Sequence, residues 1–173
     1  MAKNKYNKAS DAAQTKSSAT ATQVQRNVNA TVHTRPAQQH VSQSLDQQRA
    51  AFVWDRLTEA RKIHPALFDP YTKLTKGAGT LIMQNGLMPT LAFYGDKAKG
   101  GAASRGQGNE HLQLLSHLLQ WLEKQGLISG NSFEEAMNSL LTKSSRDYRA
   151  ITEECLALIR WIRHFASALN KME

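Results

Sequence analysis

Residues 109–126, NEHLQLLSHLLQWLEKQG, form a strongly apolar segment that decides the fold class. Its apolar side chains recur every three or four positions, as one face of an α-helix requires. Those side chains are Leu112, Leu115, Leu118, Leu119, Trp121 and Leu122. Asn109 is placed to cap the first turn, and Gly126 is placed to end the last one. The segment therefore predicts an amphipathic helix that packs one face into a core.

The sequence before this segment predicts three more helices. Ser44 and Gln47 form a capping-box pattern that opens the first helix, which ends near His64-Pro65. Its predicted buried residues are Ala50, Val53, Trp54, Leu57 and Ala60. Asp69-Pro70 predicts the start of the second helix, and Asn85-Gly86 predicts its end. A third helix is expected from residue 87 to about residue 98.

Two further helices are predicted after the apolar segment. Ser132 and Glu135 form a second capping box, which opens a short helix. The predicted inward residues of that helix are Phe133, Ala136, Met137, Leu140 and Leu141. Residues 147–151 are expected to be a connection, and a last helix is expected from about Thr152. Its predicted buried residues are Leu156, Ile159, Ile162, Ala166 and Leu169. Since no alternating strand pattern occurs, the predicted fold class is all-α, a single bundle of five to six helices over residues 45–173.

Residues 1–44 differ in composition from the rest of the chain. They are rich in Ala, Thr, Ser, Gln and Asn, and they hold six basic residues against one acidic residue, Asp11. Such a segment cannot bury enough apolar surface to offset the entropy of ordering it, so we expect a disordered basic tail. The whole chain has a formal net charge of +8, which favours a polyanionic partner.

The sequence argues against secretion and against a membrane partner. A single cysteine, Cys155, excludes an intramolecular disulfide. No apolar run approaches the roughly 20 residues that span a bilayer, and the N-terminus lacks the apolar core of a secretory signal. We therefore expect a cytoplasmic protein.

No catalytic residue, metal site or cofactor is predicted. The six histidines have no ligand spacing with one another or with the cysteine. His111 and His117 are expected to be exposed or half-buried, and Cys155 is expected to be a small core residue. The acidic pairs 134–135 and 153–154 are interpreted as first-turn residues that favour the helix dipole.

The basic residues are the candidate functional residues, for contact with RNA. Arg160 and Arg163 on the last helix, continued by Ser167 and Lys171, form a polar stripe opposite the apolar one. The other candidates are Arg146 and Arg149 just upstream, Lys73 and Lys76 on the second helix, and Lys97, Lys99 and Arg105 around a glycine-rich segment. Such side chains bind phosphates without reading sequence, although charged helix faces are more often simply solvated.

Two blocks of sequence resemble a known family. Residues 81–93, LIMQNGLMPTLAF, followed by Lys97, and residues 148–166, which include YRAITEECL and WIRHFA, are similar to the Cmr small subunit of type III-B CRISPR RNA-silencing complexes. The resemblance covers residues 45 to 173. The sequence departs from the family pattern in its long N-terminal segment and at Gly77 and Gly79, since a proline would be expected near Gly79.

The resemblance implies a non-catalytic helical subunit for antiviral defence. Additional copies of the chain would stack in an inner filament beside the backbone subunits, with large-subunit or head proteins at the filament end. Their basic faces would line the groove that holds the crRNA/target RNA duplex, while other subunits cleave. The protein then needs charge and shape only, because base pairing supplies the specificity.

Other classes of protein remain open at this point. A small subunit of a related Csm- or Cascade-type effector would also be a basic helical bundle, although the Asn-Gly-Leu block favours the Cmr type. A free-standing helical nucleic-acid-binding protein would bind as an isolated monomer with strong salt dependence. An enzyme is the third class, and no motif favours it.

Overall fold

The computed structural model describes residues 43–100 and 109–172, and these residues form six α-helices without any β-strand. The helices are α1 (Leu45–Ile63), α2 (Pro65–Asn85), α3 (Leu87–Gly100), α4 (Glu110–Lys124), α5 (Phe133–Leu141) and α6 (Ser145–Asn170). The predicted all-α helical bundle is confirmed. The predicted disordered tail and Arg105 lie outside the described residues.

Side-chain caps set the helix starts that the sequence predicts. The Ser44 hydroxyl accepts a hydrogen bond from the Gln47 amide at 3.2 Å, and the Gln47 side-chain oxygen accepts one from the Ser44 amide at 2.8 Å. Ser132 and Glu135 repeat the arrangement at α5. Asn109 accepts from the Leu112 amide at 2.8 Å and donates to the Lys97 carbonyl at 2.8 Å. Asn109 therefore starts α4 and ties it to the end of α3.

The second helix begins earlier than the sequence predicts. It starts at Pro65 rather than after Asp69, and Pro70 lies inside it. Pro65 occupies the first helical position, where an amide hydrogen would have no partner in the helix. Pro70 leaves the Ala66 carbonyl without its helical partner, and Ala66 is exposed, so water can hydrate that carbonyl. A single residue, His64, therefore joins α1 to α2.

The last helix also begins earlier, at Ser145 instead of near Thr152. Ser144 caps it, because its hydroxyl accepts from the Asp147 amide at 3.2 Å and also contacts the Asp147 carboxylate at 2.7 Å. The predicted connection over residues 147–151 is therefore helical. Its Tyr148 hydroxyl accepts a hydrogen bond from the Met88 amide at 3.1 Å, which fastens α6 to the start of α3.

The core lies between α2, α4 and α6, with α1 and α3 closing its sides. Trp121 of α4 is fully buried, and the Phe52 ring packs 5.1 Å from it. Trp54, Leu112 and Leu141 were predicted to be buried, but all three are exposed. On α1 the buried face is centred on Phe52, Val53 and Leu57, so Trp54 points away from the core. Among the described helices, none is both long and apolar enough to cross a lipid bilayer.

Candidate nucleic-acid interface

One face of α6 concentrates the candidate cations. Five exposed basic residues lie within an arc of about 100° around the helix, at 100° per residue. They are Arg146, Arg149, Arg160, Arg163 and Lys171, and we call them the cationic ridge. The early start of α6 places Arg146 and Arg149 on this ridge rather than in a connection. At 1.5 Å per residue the ridge extends over about 37 Å. Glu153 is the exposed acid on the same face.

A groove between α2 and α6 places a sixth cation, Lys76, beside the ridge. Lys76 of α2 lines this groove, of about 320 Å³, together with Arg160 and Arg163. The two helices approach closely at Gly79, where a Cβ atom would lie 3.8 Å from the Ile159 side chain. The sequence placed Lys76 and the two arginines in separate predictions, and the structure brings them together.

The candidate basic residues differ in whether a carboxylate pairs with them. Within residues 43–100 and 109–172, no carboxylate forms an ion pair with Arg160, Arg163 or Lys76. Lys73, in contrast, pairs with Asp69 at 2.6 Å, and this contact lowers the pKa of the Asp69 carboxyl. An unpaired cation exchanges only water and counterions for a phosphate, so Lys76 and the two arginines could bind a phosphate at lower cost than Lys73, which would have to leave Asp69.

The remaining candidates lie away from this groove or outside the description. The Lys97 ammonium lies over the Phe93 ring of α3, 5.7 Å from its centroid. Lys99 belongs to the last turn of α3. Lys143 was not among the sequence candidates, yet it lines a shallow groove with Tyr148 and Arg149 near the start of α6. Lys143 lies near Tyr148 and Arg149 because residues 145–151 are helical, which the sequence did not indicate.

On its other flank the cationic ridge meets aromatic side chains of α1 and α6. Trp54, Trp161 and Phe165 form what we call the aromatic shelf. The Phe165 ring lies 5.6 Å from Trp54, edge to face, and 5.2 Å from Trp161. The Trp161 indole donates to the Asp46 carboxylate at 2.9 Å. Trp161 also lines a small groove with Arg160 and His164, so the aromatic shelf and the cationic ridge are adjacent.

A half-buried ion pair holds α6 against α1 and α4 beneath these surfaces. Arg49 binds Glu154 through two nitrogens, at 2.8 and 2.6 Å, and the Trp121 indole donates to the same carboxylate at 2.8 Å. The Arg49 contact lowers the pKa of Glu154 and raises that of Arg49. The interpretation of Glu154 as a first-turn acid is wrong, because α6 begins nine residues before it. No sequence pattern near Glu154 indicates that Arg49, 105 residues away, is its partner.

The buried titratable groups are held in their neutral forms. Burial lowers the pKa of His117 to about 4, and its Nδ1 lies 2.9 Å from the Tyr71 hydroxyl. His117 is only 7% exposed, so the prediction of an exposed or half-buried residue is wrong. Cys155 is a core residue as predicted, and burial raises the pKa of its thiol. A protonated thiol is a poor nucleophile. In the described part of the chain, no three His, Cys, Asp or Glu side chains gather into a metal-binding group.

The cations are concentrated locally and do not reflect a large excess over the helical residues. Of the 22 basic and 14 acidic residues, six basic and one acidic residue precede residue 45, which leaves 16 basic and 13 acidic residues after it. Several of the acids are bound to helix caps or to basic partners, as Asp147 and Glu154 are. Location, rather than net charge, therefore distinguishes the α6 face.

A known protein family matches the helical part of the chain. The family model described as CRISPR-associated protein (Cas_Cmr5) matches residues 45–169. The match begins at the first residue of α1 and ends one residue before the end of α6. Both blocks that carry the sequence resemblance lie within it, and the hydrogen bond from Met88 to Tyr148 joins them in space. The chain belongs to the Cas_Cmr5 family of CRISPR-associated proteins.

Proposed function

We propose that this chain is the non-catalytic small subunit of a type III-B CRISPR RNA-targeting ribonucleoprotein of the cytoplasm. In that complex it lines the groove that holds the crRNA/target RNA duplex, and its partners are the backbone subunits, the head proteins and further copies of itself. The observation that carries the proposal is the cationic ridge with Lys76 beside it, unpaired by any carboxylate among the described residues.

A ridge of this kind suits a polyanion whose sequence is read elsewhere. Double-stranded RNA is recognised mainly through its phosphates, its 2′-hydroxyl groups and its shape. Arginine binds phosphate through two parallel hydrogen bonds, and Lys76 adds a point charge across the groove. Neither contact distinguishes one base from another, so specificity is left to pairing between guide and target.

Repetition of the subunit would supply the affinity. A few phosphate contacts in each copy give weak binding at physiological salt, whereas several copies along one duplex add their contacts. The length of the ridge, about 37 Å, allows one copy to span about one turn of a nucleic-acid duplex, roughly 34–36 Å in DNA. The helical residues therefore do not need the large net charge of a free-standing nucleic-acid-binding protein.

The test is a charge reversal within a reconstituted complex. Arg160→Glu combined with Arg163→Glu should weaken retention of target RNA by at least tenfold and should flatten the dependence of affinity on salt concentration, because phosphate contacts are lost. The matched control is Lys62→Glu with Lys124→Glu, an equal change of charge at exposed positions on α1 and α4.

The assembled particles should be compared by filter binding over a range of salt concentrations, after their subunit composition has been confirmed. Equal loss in the two double variants would mean that total charge, and not the α6 face, determines binding. Full retention in the α6 variant would contradict the proposal.

A further inference from the structure

Trp54 differs from the other two tryptophans in how it is held. Trp121 and Trp161 each donate their indole hydrogen to a carboxylate, Glu154 and Asp46 respectively. Within the described residues no hydrogen bond holds the Trp54 indole, and 45% of the residue is exposed. Single exposed apolar residues are common on protein surfaces, but Trp54 adjoins Trp161 and Phe165 in a contiguous aromatic surface, and such surfaces mark binding sites.

The ring is exposed but held in place. Phe165 meets the Trp54 indole edge to face at 5.6 Å, and Trp161 in turn supports Phe165 at 5.2 Å. An edge-to-face contact fixes the plane of a ring without covering both of its faces. A fixed, partly uncovered indole is suited to stack on another flat ring at low entropic cost, because little freedom is lost on binding.

Charge identifies the kind of flat ring that would reach it. Arg160 and His164 flank Trp161 on α6 and line with it a groove beside the aromatic shelf. Asp46 also lines this groove, but its carboxylate is already bound by the Trp161 indole and by Arg49. A ligand that spans both surfaces must carry negative charge on one side and an aromatic ring on the other. A nucleotide has this composition, with its phosphate for the ridge and its base for the shelf.

We propose that Trp54 stacks on an unpaired nucleobase while the neighbouring cations hold its phosphates, so that the subunit binds single-stranded nucleic acid at the α1–α6 surface. This inference rests on the proposed function and narrows its ligand. The base must be unpaired, because within a duplex the faces of each base are already covered by their neighbours. The chain therefore engages a strand where it leaves the duplex or where a base is turned out of it.

The experiment uses the full chain and three labelled 12-nucleotide probes at low salt. They are a uridylate RNA strand, whose bases stack little on one another, a strand of equal charge whose bases are removed, and an RNA duplex of equal length. Fluorescence anisotropy should show that the base-bearing strand binds more tightly than the abasic one. Trp54→Leu should weaken binding of the base-bearing strand by about tenfold and leave the abasic strand unchanged. Trp54→Phe should restore part of the loss.

Phe93→Leu is the matched control, since Phe93 on α3 is an aromatic residue of similar exposure, 42%, with a cation over its ring. It should change neither affinity. Thermal unfolding of each variant establishes that it is folded at the assay temperature.

The outcomes separate this inference from the proposed function. If Arg160→Glu with Arg163→Glu weakens every probe but Trp54→Leu weakens none, the stacking proposal is wrong and the basic face stands. If the wild-type chain shows no preference for the base-bearing strand over the abasic one, the stacking proposal is wrong, whereas the proposed function, in which repeated copies supply the affinity, is judged on the assembled complex. If Trp54→Leu alters only self-association in sedimentation experiments, Trp54 belongs to a protein contact and stacking is overturned.

Discussion

Burial of His117 ties the stability of the bundle to pH. The imidazole lies against the Tyr71 ring at 5.6 Å and shares a hydrogen bond with its hydroxyl, in a place where a positive charge would lose its water. Its pKa of about 4 lies well below the ordinary value of 6.5. Between these two values the unfolded chain binds a proton that the folded chain excludes.

The free energy of unfolding should therefore fall as the pH is lowered from about 6.5 to 4. The contribution of His117 is complete above the unfolded pKa, declines through this window by on the order of 3 kcal/mol, and is constant below it. Urea unfolding at several pH values measures the slope. In His117→Gln the slope should be reduced. Parallel profiles for the two proteins would show that His117 is protonated without penalty.

Sequence alone could not have located these buried polar groups. His117 lies on the apolar face of α4 by spacing, but only Tyr71, 46 residues earlier, supplies its partner. Glu154 likewise depends on Arg49 and Trp121, on two other helices. Trp54 was misplaced because adjacent apolar residues leave the phase of a helical stripe ambiguous, and Phe52 took the buried position. In each case long-range packing decides, and local pattern carries no information about it.

At the scale of the helices, local chemistry was predictive where the capping pattern was complete. Ser44 with Gln47 and Ser132 with Glu135 both form reciprocal capping boxes. The start of α6 was missed because Asp147 replaces the longer Glu or Gln of the usual pattern, although Ser144 still caps the helix. The start of α2 was missed because two prolines compete for it, and the earlier one occupies the first helical position.

Ser144→Ala should destabilise the first turns of α6 and, with them, the fold. The hydroxyl satisfies the Asp147 amide, and replacing an N-cap serine by alanine costs about 1 kcal/mol. The loss should appear as a lower midpoint in urea unfolding with an unchanged slope. Ser145→Ala, one position along and also exposed, is the control and should be nearly neutral. Equal stability of both variants would mean that the cap contributes nothing.

At the scale of the whole molecule, the family assignment was accessible from sequence because its two blocks consist of packing residues at fixed separation. The basic face was accessible only in part. Arg160 and Arg163 were predicted as a stripe with Lys171. The early start of α6 adds Arg146 and Arg149 to the cationic ridge, and helix packing places Lys76 beside it. The excess of basic residues before residue 45 follows directly from the sequence.

Removal of residues 1–43 should weaken nucleic-acid binding, because it lowers the net charge, without changing the stability of the helical part of the chain. It deletes six basic residues and one acidic residue, so the net charge falls from +8 to +3. Nucleic-acid affinity should drop for all sequences alike and become less dependent on salt. The melting temperature should change little, since the deleted segment has no Leu, Ile, Phe or Trp. A fall of more than about 5 °C, on the order of 1 kcal/mol, would show that it packs on the helices.

The side-chain NH₂ of Asn109 donates to the Lys97 carbonyl of α3, and its oxygen accepts from the Leu112 amide of α4. The two residues that flank residues 98–108, Lys97 and Asn109, are therefore held together by this one side chain. Lengthening a chain between two anchored ends costs little, because closure entropy grows only with the logarithm of length. A foreign peptide, such as an epitope or a fluorophore-bearing tag, can therefore be inserted between Lys97 and Asn109 while the six helices keep their arrangement.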